Sequence, residues 1–204
     1  MQTNELLIDF LVKKGVLNTP RIVRAFATMD RKKFVPASSS HHAYIDAPLS
    51  IGYGQTISQP SVVAFMLELM DPRAGDEILD IGSGSGWTTA LLAECVKPGG
   101  RIVGLEMVPE LVTFGREHIA NASVQNATIQ LAKKGTIGLP DCKPFDKILV
   151  SAERSTFPTE LTPQFTQHLV MPIRGSIYKL SKSGSDGHAF HATEYPGFAF
   201  VPLV

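Results

Sequence analysis

A turn rich in glycine is the stretch of this sequence whose residue types and spacing most clearly suggest chemistry. In LDIGSGSGWTTALLA, residues 79–93, Asp80 is followed by Gly82, Gly84 and Gly86 at every second position. Aliphatic residues precede the turn and a helix-like stretch follows it, which predicts a buried strand running into a helix. Glycine has no Cβ, so the backbone can bend sharply and a ligand can lie against it. The first N–H groups of the helix are free to donate hydrogen bonds there.

The acidic residues around this turn discriminate between possible ligands. Asp80 stands directly before the turn, where it would repel a pyrophosphate and would suit an ammonium group. Glu106 ends the next predicted strand, where a carboxylate can accept hydrogen bonds from both hydroxyls of a ribose. Dinucleotide sites use GxGxxG, whereas this turn reads D-x-G-x-G-x-G and continues with Trp87. S-adenosylmethionine carries an ammonium, a sulfonium and a ribose diol but no phosphate, so the pattern favours this cofactor over NAD.

The elements around the turn alternate between strand and helix. Strands are predicted at 77–81, 101–106, 127–131 and 145–151, and helices at 61–70, 87–96 and 109–120. This alternation predicts an α/β fold: a Rossmann-like, mostly parallel twisted sheet with helices on both faces and a ligand site beyond the carboxyl ends of the strands. Near the C-terminus, SIYKLSK and HAFHATEYP flank a turn at 183–187 and predict an antiparallel hairpin.

The N-terminal part of the chain has a different pattern. Asn4 can cap a first helix, and Pro20 suits the first position of a second helix. Residues 37–59 show no regular pattern, and an irregular connection of this length inside a compact domain is often functional. We therefore divide the chain into a helical extension with an active-site loop, residues 1–59, and a cofactor-binding domain, residues 60–204.

Composition limits the possible partners. Lys+Arg and Asp+Glu are both 19, so the net charge is zero and no basic surface for nucleic acid or an anionic membrane is expected. No apolar run reaches the roughly 18 residues of a membrane span, and MQTNELLIDFLVKKG lacks the apolar core of a signal peptide. Cys95 and Cys142 lie in no metal-ligand pattern, so we interpret them as free thiols of a cytoplasmic protein without a metal site. The sequence carries no indication of the oligomeric state.

Four segments together resemble one known family: RKKFVP, AYIDAPLSIGYGQTISQP, LDIGSGSGWTTALLAE and FVPLV. They resemble the protein-L-isoaspartate O-methyltransferases, from about Arg31 to the C-terminus. GQTISQP, with DAPLSIG before it, is more specific than the glycine turn, which many methyltransferases share. The resemblance implies a class I methyltransferase that uses S-adenosylmethionine to methylate the carboxyl group of L-isoaspartyl residues in damaged proteins or peptides. The ester then closes to a succinimide, which reopens partly as normal aspartate.

The resemblance also implies roles for individual residues. Ser58 falls on the family's active-site serine, and Thr56 beside it is the second candidate catalytic residue. Candidate cofactor-binding residues are Gln55, Ile57, Asp80, Gly82, Ser83, Gly84, Gly86, Glu106, Met107, Lys134 and Gly135. The substrate carboxylate is ionised at neutral pH, so no general base is needed, and Ser58 would orient it by a hydrogen bond. Because Ser58 precedes Pro60, it could instead cap the following helix, and the two roles are compatible.

Three stretches depart from the family's usual pattern, and the third, LTPQFTQHLVMPIRGS, only lacks the Lys-Pro-Gly-Gly turn that usually precedes the fifth strand. Lys133-Lys134-Gly135 stand where the family has Gly-Asp-Gly, whose acid contacts the adenine amino group, and lysine has no acceptor. The second stretch places Glu153 and Arg154 where small residues are usual, and we expect an ion pair between them, although Arg154 could bind a substrate carboxylate instead. The alternatives left open are a methyltransferase acting on another carboxylate or peptide acceptor and a cofactor-binding paralogue with impaired catalysis.

Overall fold

The computed structural model describes residues 2–183 and 189–203. Over these residues the helices are α1 Asn4–Lys13, α2 Pro20–Thr28, α3 Pro60–Met70, α4 Trp87–Cys95 and α5 Pro109–Asn121, with 3₁₀ helices at Arg31–Phe34, Ala37–His42 and Thr159–Gln164. The strands are β1 Leu49–Gly52, β2 Gln55–Ile57, β3 Glu77–Ile81, β4 Arg101–Glu106, β5 Ala127–Leu131, β6 Phe145–Val150, β7 Phe165–Ile173, β8 Ser176–Ser183 and β9 Ala189–Pro196.

The main sheet has the strand order β5-β4-β3-β6-β7-β8-β9. The first five strands of this order, β5, β4, β3, β6 and β7, are parallel to one another. Strand β8 pairs antiparallel with β7, and β9 pairs antiparallel with β8. The predicted α/β fold with a mostly parallel sheet and a C-terminal antiparallel hairpin is confirmed. Of the turn predicted at 183–187, Ser183 is the last residue of β8, and 184–187 lie outside the described residues. The chain leaves β3 toward β4 and later returns to its other side with β6, so a switch point lies at the carboxyl end of β3, where such sheets bind ligands.

The two faces of the sheet are covered differently. Side chains alternate between the faces along a strand, so Ile78 joins the hydrophobic cluster that contains all five described α-helices, whereas Leu79 joins a second cluster. That second cluster includes Leu161 of the 3₁₀ helix and residues from the connection at 132–144. We expect helices on both faces, but the described α-helices all pack on one face. The other face is covered by the 3₁₀ helix Thr159–Gln164 and the connection at 132–144. The connection at 132–144 contains two glycines and two prolines, which disfavour an α-helix.

The N-terminal helices α1 and α2 belong to the same hydrophobic cluster as α3 and α4. Two N-terminal details differ from the expectation. Thr3 caps α1, with its Oγ1 accepting from the Leu6 N–H at 3.2 Å, while Asn4 donates its side-chain amide to the Phe26 carbonyl. Residues 37–59 are also less irregular than expected, because they form a 3₁₀ helix and the antiparallel β1–β2 hairpin. These strands are only four and three residues long, too short for a clear sequence pattern.

The longest described helix, α5, has 13 residues, and no helix in residues 2–183 or 189–203 is long and apolar enough to cross a membrane. Within the same ranges, no three His, Cys, Asp or Glu side chains cluster in a way that could hold a metal ion.

Candidate active site

A cavity of about 650 Å³ lies at the carboxyl edge of the parallel strands. The residues that directly follow β3, β4, β5 and β6 all line it, namely Gly82, Met107, Ala132 and Ser151. Of the residues expected to act on substrate or cofactor, those that line it are Gln55, Thr56, Ile57, Ser58, Gly82, Ser83, Gly84, Glu106, Met107, Lys134 and Gly135. The fold thus gathers segments that lie far apart in the chain at the switch point.

Asp80 and Gly86 are the two candidate residues that do not line this cavity. Gly86 has a φ of +83°, and a Cβ added there would lie 3.0 Å from the Gly115 carbonyl oxygen and 3.2 Å from Ile119 Cγ2. At Gly86 the close neighbour is therefore helix α5 rather than a ligand. Gly115 is itself required, because its own Cβ would lie 2.9 Å from the Gly84 carbonyl oxygen. Sequence analysis missed Gly115, since a single glycine inside a helix carries no pattern.

Glu106 is fixed in place by the backbone on both sides. The residue is only 7% exposed, and its Oε2 accepts from the Gly84 N–H at 2.9 Å while Oε1 accepts from the Val108 N–H at 3.0 Å. Each carboxylate oxygen can accept a further hydrogen bond. A carboxylate held in this orientation at the cavity wall fits two neighbouring hydroxyl donors, as in a ribose diol.

Asp80 lies behind the glycine turn and is fully buried. Its Oδ2 accepts from the Thr89 hydroxyl at 2.6 Å, whereas its Oδ1 has no hydrogen-bond partner among the described residues. Burial raises the pKa of Asp80 to about 7, although the hydrogen bond from Thr89 opposes this rise. A cation near the turn, reached through a water, would favour the ionised form. The orphaned oxygen therefore fits a cationic ligand group such as an ammonium.

The wall formed by Ser58 is held by a buried arginine. The Arg31 side chain is inaccessible to solvent, and its Nη2 donates to the Ser58 carbonyl at 3.0 Å and to the Ala47 carbonyl at 3.0 Å. Its Nη1 donates to the Ala43 carbonyl at 2.7 Å, and the guanidinium carbon lies 5.4 Å from the Trp87 ring centre. Arg31 thus connects the loop before β1, the end of β2 and the first residue of α4.

Ser58 does not cap the helix that follows it. The N-cap position of α3 belongs to Gln59, and no side chain at that position caps the helix. Asp46 performs this role from a distance, because its Oδ1 accepts from the Ser61 N–H at 2.8 Å. Burial alone would raise the pKa of Asp46, but hydrogen bonds from Ser61, Lys14 and Gln59 hold it below its usual value. Arg31 begins RKKFVP and Asp46 lies in AYIDAPLSIGYGQTISQP, but neither motif indicates a role for these two residues.

The charged residues after β6 do not form the ion pair that was expected. Glu153 Oε2 accepts from the Gly175 N–H at 3.1 Å. Within residues 2–183 and 189–203, no contact of 4 Å or less joins the carboxylate of Glu153 to the guanidinium of Arg154. Arg154 instead lines the cavity, as do residues 201–203 of the C-terminal segment.

Comparisons with known proteins agree with one another. The family profile of Protein-L-isoaspartate(D-aspartate) O-methyltransferase matches residues 1–204. The protein-L-isoaspartate O-methyltransferase of Methanopyrus kandleri is 36% identical over 208 residues, covering 100% of this chain and 92% of that relative. The relative of the same name from Aeropyrum pernix is 39% identical over 203 residues, covering 97% of this chain and 78% of that relative. A solved structure from Plasmodium falciparum, assigned to the same group and in complex with S-adenosyl-L-homocysteine, has a TM-score of 0.88 at 25% identity over 100% of this chain and 99% of that chain.

Proposed function

This chain belongs to the protein-L-isoaspartate O-methyltransferase family, and from that premise we propose how its cavity carries out the reaction. The enzyme uses S-adenosylmethionine to methylate the carboxyl group of L-isoaspartyl residues. The observation that carries the mechanism is that GQTISQP and the glycine turn contribute residues to one cavity. We further propose a cytoplasmic location, supported by two cysteines that are both free.

Bound S-adenosylmethionine supplies an activated methyl group on a sulfonium. Gly82 and Gly84 offer backbone without side chains as one wall, with Ser83 between them, and Glu106 would accept hydrogen bonds from the ribose hydroxyls. The rigid carboxylate needs no rearrangement for this task, because Gly84 and Val108 already orient it. Gln55, Ile57, Met107, Lys134 and Gly135 would enclose the rest of the cofactor.

The acceptor side requires positioning rather than proton transfer. A carboxylate is already ionised at neutral pH, so the protein needs only to hold one of its oxygens in line with the methyl group and to exclude water. The Ser58 hydroxyl, with Thr56 beside it, would donate a hydrogen bond to that carboxylate. Arg31 makes Ser58 suitable for this role, because it fixes the Ser58 backbone through a carbonyl hydrogen bond of 3.0 Å.

A labelled-methyl assay tests the function directly. The protein is incubated with methyl-labelled S-adenosylmethionine and an L-isoaspartyl peptide, with the aspartyl peptide of the same sequence as the matched control. We expect label in a base-labile ester with the isoaspartyl peptide only. Equal labelling of both peptides would indicate a different acceptor. Binding of S-adenosylhomocysteine without any transfer would indicate a paralogue with impaired catalysis.

Replacing Ser58 with alanine is expected to lower kcat roughly 10- to 100-fold, because a hydrogen bond to a charged group contributes about 1.5–3 kcal/mol. The dissociation constant of S-adenosylhomocysteine, measured by calorimetry, should change less than about twofold. Ser50→Ala is the control, since Ser50 lies in the hairpin directly before Ser58 and its hydroxyl accepts from the Gly52 N–H, but it does not line the cavity. Equal kinetics for both variants would remove Ser58 from the mechanism.

Replacing Lys134 with aspartate is expected to tighten the binding of S-adenosylhomocysteine about tenfold. The change restores an acceptor for the adenine amino group at a position that lines the cavity, and a charge-assisted hydrogen bond contributes about 1.5 kcal/mol or more. Lys133→Asp makes the same change of charge at an exposed neighbour that does not line the cavity. The same gain in both variants would assign the effect to general electrostatics and not to a local contact.

A further inference from the structure

A single buried amide forms hydrogen bonds with one wall of the cavity. Gln164 ends the 3₁₀ helix Thr159–Gln164, is only 4% exposed and lines the cavity. Its Oε1 accepts from the Leu139 N–H at 2.7 Å, and its Nε2 donates to the Ile137 carbonyl at 3.0 Å and to the Glu160 carbonyl at 2.8 Å. Both amide donors and the acceptor are therefore used, so this side chain has one defined orientation.

The wall that contacts Gln164 has no regular secondary structure of its own. It belongs to the connection at 132–144, of which Ala132, residues 134–138 and Pro140 line the cavity. Gly138 has a φ of +75°, and a Cβ added there would collide with the Gln164 side-chain oxygen. The turn and the amide are thus fitted closely to each other. Without the amide, a segment with two glycines of positive φ would sample many conformations.

We propose that Gln164 is a positioning residue for cofactor affinity, because it holds the wall at 134–140 in its binding shape before the cofactor arrives. The proposal rests on the proposed function only in taking S-adenosylmethionine as the occupant of this end of the cavity. Preorganisation of this kind strengthens binding, because the segment is already ordered when the protein folds and the entropic cost of ordering it no longer opposes binding. The Ser58 wall is held separately by Arg31. The peptide end should therefore be insensitive to Gln164.

Calorimetry with S-adenosylhomocysteine tests the proposal on Gln164→Ala. We expect the dissociation constant to rise roughly tenfold or more, while the KM for the isoaspartyl peptide at saturating cofactor changes less than about twofold. Asn126→Ala is the matched control. Asn126 is also a largely enclosed amide that donates to two backbone carbonyls, of Ala93 at 2.9 Å and Gly100 at 3.1 Å, but it does not line this cavity.

The outcomes separate a positioning role from a purely structural one. Loss of stability in both variants with weaker S-adenosylhomocysteine binding in Gln164→Ala alone supports the proposal. Unchanged binding in a folded Gln164→Ala, or equal weakening in both variants, overturns it. If Gln164→Ala does not fold, Gln164→Glu takes its place, because it keeps an acceptor for the Leu139 N–H and loses the donors to Ile137 and Glu160; unchanged binding there would also overturn the proposal. A protein that binds S-adenosylhomocysteine but never methylates isoaspartyl peptides would contradict the proposed function and leave this test intact.

Discussion

Replacing Arg31 with methionine is expected to lower the free energy of unfolding by about 3–5 kcal/mol and to abolish methyl transfer. The side chain is completely buried, and its loss would leave buried backbone carbonyls without a donor. Burial lowers the pKa of Arg31 to about 10, so the guanidinium remains protonated at neutral pH and donates with its full charge. The segment before β1, at Ala43, and the residue after β2, Ser58, would then no longer be joined through one guanidinium group. Urea unfolding at pH 7 measures the loss.

Two further variants of this side chain separate its charge from its shape. Arg31→Lys retains the charge, but an ammonium cannot reproduce the planar guanidinium, whose Nη1 and Nη2 donate to different carbonyls. We expect it to fold with an intermediate stability, and to lose more in kcat than in S-adenosylhomocysteine affinity, because the Ser58 wall moves first. Arg24→Met removes an exposed arginine close by in the chain and should change stability by less than about 0.5 kcal/mol. A loss below about 1 kcal/mol in Arg31→Met would contradict the role of this residue.

The parts of the site that sequence analysis identified are those with a local signature. The order of strand, acid, glycine turn and helix is written in consecutive residues, and Glu106 is recognisable because it ends the next strand of a regular alternation. Both residues that anchor Glu106 are also local, since Gly84 belongs to the turn and Val108 is two residues away. Such features follow from periodicity and turn chemistry alone.

The supporting residues of the site have no such signature. Arg31 donates to carbonyls up to 27 residues away in the chain, and Gln164 bonds a loop 25 residues before it. A backbone carbonyl looks the same in every sequence, so the acceptors of these side chains leave no trace in the pattern. Ser58 shows the converse limit. Its position before Pro60 suggested a helix cap, but Asp46 satisfies the helix from another segment, which leaves the Ser58 side chain available to the cavity.

Replacing Glu106 with glutamine is expected to weaken S-adenosylhomocysteine binding about 100-fold or more. The carboxylate now accepts from Gly84 and Val108 on separate oxygens. An amide has only one acceptor, so it would present an N–H₂ group to one of these N–H donors and lose that hydrogen bond. It would also lose the charge that strengthens hydrogen bonds to the two ribose hydroxyls, each worth about 1.5–3 kcal/mol in the carboxylate form.

The control for this prediction is Glu110→Gln, which makes the same chemical change at an exposed position in the first turn of α5. Calorimetry with S-adenosylhomocysteine should show a dissociation constant within about twofold of the wild type for this control. The free energy of unfolding of Glu106→Gln should fall by less than its free energy of S-adenosylhomocysteine binding, because one of the two backbone hydrogen bonds survives. Unaltered affinity in Glu106→Gln would mean that the diol does not lie at this carboxylate. The cofactor would then have to be placed elsewhere in the cavity, and the assignment of the glycine turn as its wall would fail with it.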